Sequence, residues 1–92
     1  MIYVTEQAIQ ELRKILSTEV DYPGACLRLV DRGNGKLGLC IDREAPGDQI
    51  IEYEGNRILL VEPELADNLK GSTLDIENTP EGAELVLSIL QF

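Results

Sequence analysis

Cys26 and Cys40 are the only side chains in the 92-residue sequence that favour soft metals, because there is no histidine. Without histidine, neither a Ser–His nor a Cys–His relay can be built, so nucleophilic catalysis of that type is excluded. An iron–sulfur cluster normally takes about four thiolate or imidazole ligands. Two thiols per chain could reach that number only across a dimer.

The segments Ala25–Val30 and Leu37–Asp42 alternate in hydrophobicity and flank the turn-rich Asp31-Arg32-Gly33-Asn34-Gly35-Lys36. That pattern predicts a β-hairpin. It puts Cys26 and Cys40 on one face, with Arg28 and Asp42 beside them. With the turn centred near Gly33 or Asn34, the two thiols are direct or diagonal cross-strand neighbours. Arg28 would then favour a thiolate and make a metal-touching or redox pair conceivable. The competing reading is two small buried apolar side chains, the usual state of free cysteine.

Two other clusters carry less. Gly33-Asn34-Gly35-Lys36 resembles a phosphate-cradling loop only superficially. It lacks the longer spacing ending in Gly-Lys-Ser/Thr and leads into a strand, where a helix N-terminus would be needed. Asp42, Glu44 and Asp48 gather carboxylates around Pro46-Gly47, but not in the alternating order of a calcium loop, which favours a solvated turn.

The elements that position these residues are legible in outline. Thr5 suits a helix N-cap, and Glu6 in the first turn suits the helix dipole. Ala8, Ile9, Leu12, Ile15 and Leu16 then recur at helical spacing, ending near Ser17-Thr18 before the breaker Tyr22-Pro23-Gly24. After the first hairpin, Gln49–Tyr53 and Arg57–Val61 form a second across Glu54-Gly55-Asn56. Pro63 opens a short helix with Leu65, Ala66 and Leu69 on its apolar face and Gly71 as its stop. Ser72–Ile76 and Glu84–Leu90 read as the last strands, around a turn at residues 77–82. Strands grouped by short turns predict an α+β fold with antiparallel or mixed sheets rather than a doubly wound one.

Composition narrows the function. A formal charge of −9, with lysine and arginine scattered, excludes a nucleic-acid interface. The longest apolar run, Ile58–Val61, is far short of the roughly 20 residues a membrane helix needs. The opening Met1-Ile2-Tyr3-Val4-Thr5-Glu6 has no basic segment of a signal peptide. Free thiols in such a chain predict a reducing compartment, the cytoplasm.

Taken in order, several motifs resemble the HesB/IscA-like family of A-type iron–sulfur carriers. Val4-Thr5-Glu6-x-Ala8-x-x-x-Leu12 resembles its entry into the first helix, and Leu27-Arg28-Leu29 its first strand. Gly33 stands where its glycine-rich cysteine loop begins. Pro46-Gly47-Asp48 and Gly55 each precede a strand as in the family. Leu69-Lys70-Gly71-Ser72-Thr73-Leu74-Asp75 resembles its L-x-G-x-x-L/I-D signature. The similarity spans about residues 1–76 and implies one HesB-like domain over residues 1–92.

The family's carriers bind iron or a cluster through one cysteine in that loop and two in a C-terminal Cys-x-Cys. Here the loop reads Gly33-Asn34-Gly35-Lys36, and Leu90-Gln91-Phe92 carries no cysteine. None of the three ligands can be transferred. The resemblance therefore predicts a non-enzymatic protein related to cluster-assembly factors, an accessory or partner-binding module with no cofactor and no metal site. A protein partner or a homodimer would fit it. Two alternatives stay open: an iron or iron–sulfur binder using Cys26 and Cys40 across a dimer, and a thiol-redox protein using either.

Overall fold

The computed structural model describes residues 2–19, 23–33 and 36–89. Its elements run β1 (Tyr3–Val4), α1 (Glu6–Glu19), β2 (Ala25–Gly33), β3 (Lys36–Arg43), β4 (Gln49–Tyr53), β5 (Asn56–Val61), α2 (Pro63–Asn68), β6 (Ser72–Thr79) and β7 (Gly82–Ile89). This is an α+β fold with two mixed sheets, as the grouping of strands predicts. One sheet has the order β1-β6-β7 and the other β3-β2-β5-β4.

Each local pairing follows from its turn. Glu54 and Gly55 both take positive φ, 52° and 80°, between β4 and β5. Such a pair of left-handed residues matches the natural twist of a two-residue hairpin, and glycine adopts it without steric cost. In α1, the Thr5 hydroxyl accepts a hydrogen bond from the Ala8 backbone N–H at 3.2 Å, the expected N-cap. The helix runs to Glu19, one to two residues beyond the expected end.

Four features differ from the sequence reading. β2 and β3 run into the glycine-rich turn, to Gly33 and from Lys36, beyond the expected Val30 and Leu37. β1 has only two residues, too few to show a period, and pairs parallel with β6 through Tyr3↔Thr73 and Val4↔Leu74. The last turn is tighter than expected, with β6 and β7 extending to Thr79 and Gly82. The Thr79 hydroxyl donates to the Gly82 carbonyl at 2.7 Å and accepts from the Glu81 N–H at 3.2 Å, closing the chain around Pro80-Glu81. Finally, the left-handed glycine after α2, Gly71 with φ 83°, lies two residues beyond the cap Leu69. The expected strand residue Leu90 lies outside the described residues.

The hairpins are interleaved. β5 inserts beside β2 in parallel, with Leu27↔Leu59 and Arg28↔Leu60 in register. The core gathers Leu12 from α1, Leu27 and Leu29 from β2, Leu59 and Val61 from β5, Leu65 from α2 and Leu74 from β6. Leu59 and Leu74 are fully enclosed. Leu74→Ala is expected to lower unfolding free energy by about 3 kcal/mol in urea titrations. Lys14→Ala, on the exposed face of α1, should stay within about 0.5 kcal/mol.

Candidate functional site

β3 and β4 sit at opposite edges of the four-stranded sheet and run in the same direction. The link between them, residues 44–48, must therefore cross the sheet from one edge to the other. It crosses on the face that carries Cys26, Arg28, Cys40 and Leu60. Arg28 is the anchor. Its Nη1 and Nη2 donate to the two carboxylate oxygens of Asp48 at 2.9 and 2.7 Å. Its Nε donates to Asp42 at 2.8 Å, and Nη2 also to the Arg43 carbonyl at 3.0 Å.

The Asp48 side chain is only 2% exposed, and it also accepts the Ala45 N–H at 2.7 Å. Arg28 beside it holds the Asp48 carboxyl below the usual carboxylate range. The Asp42 carboxyl is likewise low, chiefly because it accepts the Arg43 N–H and then because of Arg28. Arg28 in turn is held more firmly protonated than usual, chiefly by its hydrogen bonds to Asp48. Glu44 of the link reaches Arg57 on β5 at 2.7 Å. The three carboxylates that gather around Pro46-Gly47 are thus divided between two arginines rather than turned on a common ion.

The thiols fall on the expected shared face. Cys26 is opposite Asp42 and Cys40 is opposite Arg28, so the two cysteines are diagonal neighbours. Their surroundings differ sharply. Cys26 is 4% exposed, and burial raises its thiol pKa. Cys40 is exposed on the edge strand β3, and it lines a shallow cleft of about 310 Å³ with Ile15, Glu19, Leu39 and Ile41. At Cys26 the nearby Arg57 and Arg28 favour the thiolate, but burial outweighs them and the thiol pKa stays raised. The Arg28 guanidinium is itself committed to Asp42 and Asp48.

Of the glycine-rich turn, Gly33 and Lys36 are described and Asn34 and Gly35 lie outside the described residues. Beside it a cleft of about 540 Å³ opens between β3 and β7, lined by Arg32, Lys36, Leu37, Leu39, Leu85 and Leu87 among others. Neither cysteine lines it. Among the described residues, no three cysteine, aspartate or glutamate side chains converge as metal ligands. Among the described residues, no helix is long and apolar enough to cross a membrane.

Sequence reasoning missed a second polar clasp. The Thr5 hydroxyl, besides capping α1, donates to the Asp75 carboxylate at 2.7 Å, across 70 residues of chain. That bond and the Ile76 N–H lower the Asp75 pKa. Thr5 and Asp75 are both among the residues that carry the family resemblance, and that is the signal that links them.

This architecture is the fold of the HesB/IscA-like proteins. SufA of Escherichia coli, described as involved in biosynthesis of iron–sulfur clusters, superposes with a TM-score of 0.70 at 17% identity, over 96% of this chain and 84% of SufA. IscA solved with a 2Fe–2S cluster gives 0.63 at 21% identity, over 97% and 85%. A protein of Aquifex aeolicus solved by NMR gives 0.72 at 21% identity, over 97% and 91%. At these identities the likeness is one of fold. No family model and no curated protein sequence matches the chain.

Two measurements probe the site. Arg28→Ala leaves the enclosed Asp48 carboxylate without its cation, and should cost about 3 kcal/mol of unfolding free energy. Because Asp48 has its pKa depressed on folding, its stabilisation is present above the unfolded value of about 3.9 and is lost as pH falls through the lower folded value. Stability of the native protein should therefore drop in acid more steeply than that of Asp48→Asn.

Alkylation should separate the thiols: Cys40 reacts in the native protein, and Cys26 only on unfolding. Diagonal strand neighbours are about 7–8 Å apart, beyond the usual Cα separation of a disulfide. Mild oxidation should accordingly give no internal bridge, which mass spectrometry would report.

Proposed function

We propose that the protein is a non-enzymatic relative of the iron–sulfur assembly carriers that works by binding a protein partner and holds no cluster itself. The observation that carries this reading is the donor set. Of its two thiols, one is enclosed with a raised pKa and the other stands alone at a strand edge. A cluster needs about four soft ligands. Lys36 and the leucines beside the glycine-rich turn supply none, so the residues present do not suit a cluster.

The likeness of fold to SufA, which is involved in cluster biosynthesis, and to IscA with its cluster supports a role in the same process. The reducing cytoplasm suits a chain whose thiols are free. A scaffold of this kind would act through its surfaces, with the Arg28 lock keeping the link over the sheet in one conformation.

Anaerobic reconstitution with iron and sulfide, followed by metal analysis and a visible spectrum, tests the reading. The expected product is folded, colourless and carries substoichiometric iron. Stoichiometric iron with charge-transfer bands, abolished by Cys40→Ser, would overturn it and restore a carrier function.

A further inference from the structure

We propose that the cleft between β3 and β7 is a binding site for a medium-chain fatty carboxylate, its head on Arg32 and Lys36 and its chain among the leucines. This goes beyond the partner-binding reading and does not rest on it. The cleft lies where the two sheets part, since β3 pairs only with β2 and β7 only with β6. Its volume of about 540 Å³ falls within the range of small-molecule pockets, roughly 300–1,000 Å³.

Two kinds of surface meet there. Leu37 and Leu39 of β3 and Leu85 and Leu87 of β7 line the cleft, and all four are half-buried against the core. Apolar side chains left partly open to a concave space gain when an alkyl chain displaces the water over them. Arg32 and Lys36 line the same cleft and are exposed. Neither has a carboxylate partner among the described residues, whereas Arg28 and Arg57 are both paired.

Gly38 places one of these cations. A Cβ at position 38 would collide with Arg32 Nε and would come within 2.8 Å of Arg32 Cδ and Cζ. The Arg32 side chain therefore lies across the strand in space that the glycine leaves open. That presents a planar guanidinium at the cleft, a donor fork that matches both oxygens of a carboxylate.

Charge narrows the class of ligand. The whole chain carries a formal charge of −9, but screening limits such long-range repulsion to about 8 Å at physiological ionic strength. Within the cleft the balance is Arg32 and Lys36 against Glu84 alone. A small positive excess of that kind suits a monoanion rather than a polyphosphate. The leucines suit an alkyl chain rather than a sugar.

Titration with sodium decanoate, followed by proton–nitrogen correlation spectra, tests the site. Saturable shifts are expected at Gly38, Leu39, Leu85 and Leu87. Octanoate, shorter by two methylenes, should bind roughly tenfold more weakly. Decanol and decylammonium, which lack the negative head, should each bind weaker than decanoate by about tenfold or more. Arg32→Gln should weaken decanoate by a similar factor. Gly38→Ala keeps the charge but fills the space under Arg32, and should weaken decanoate severalfold.

Shifts that do not saturate, or that fall outside the cleft, would overturn the proposal. So would decanol or decylammonium bound as tightly as decanoate, which would make the cleft an apolar groove without anion recognition. An Arg32→Gln chain that binds decanoate unchanged would overturn it too. The comparison of the four small molecules uses the native chain, so it stands even if a variant fails to fold. Iron plays no part in these titrations, so this site and the cluster-free reading can fail separately.

Discussion

The arrangement depends on the guanidinium of Arg28. A five-residue link has to cross a four-stranded sheet, and such a link has little apolar surface of its own with which to hold its course. Arg28 supplies a flat donor array that engages both oxygens of Asp48 and still reaches Asp42 and a main-chain carbonyl. Lysine could not replace it, because an ammonium group presents a point charge rather than a fork. Enclosing a carboxylate is costly unless it is paired and fully hydrogen-bonded, and here it is both. The pair fixes a conformation more than it adds net stability, since the desolvation of two ions offsets much of their attraction.

Fixing the link decides the chemistry beneath it. Leu60 and Cys26 are enclosed on the face that the link crosses. A thiol there is harder to ionise, because burial outweighs the pull of Arg57 and Arg28 toward the thiolate. The link that Arg28 holds in place lies over the face where Cys26 is buried. Cys40 escapes because it sits on the outermost strand, one pair further from the link.

The parts legible in the sequence are those whose signal is local. The stripe from Ala8 to Leu16, the Thr5 cap and the Glu54-Gly55 turn each declare themselves within a few residues, and the face shared by Cys26 and Cys40 follows from alternation alone. What stays illegible joins distant segments. Nothing in Leu27 and Leu59 says that they are parallel neighbours, because both belong to hairpins that read as separate units. β1 is too short to have a period. Arg28 could be placed beside Cys26 and Asp42 from the pattern, but Asp48 reaches it only because the link folds back across the sheet. That contact, invisible in the pattern, is what commits the guanidinium to two carboxylates at once.

The division of labour between the two sheets bears on function. The smaller sheet is closed onto the helix by the Thr5–Asp75 bond and by the parallel pairing of β1 with β6, both tying the N-terminal segment to the chain's second half. The larger sheet is closed at its centre by Arg28 but left open at β3. That strand carries the accessible thiol and Ile41. Among the described residues the one accessible thiol stands alone on that strand, and no group of three acidic or thiol side chains converges as metal ligands.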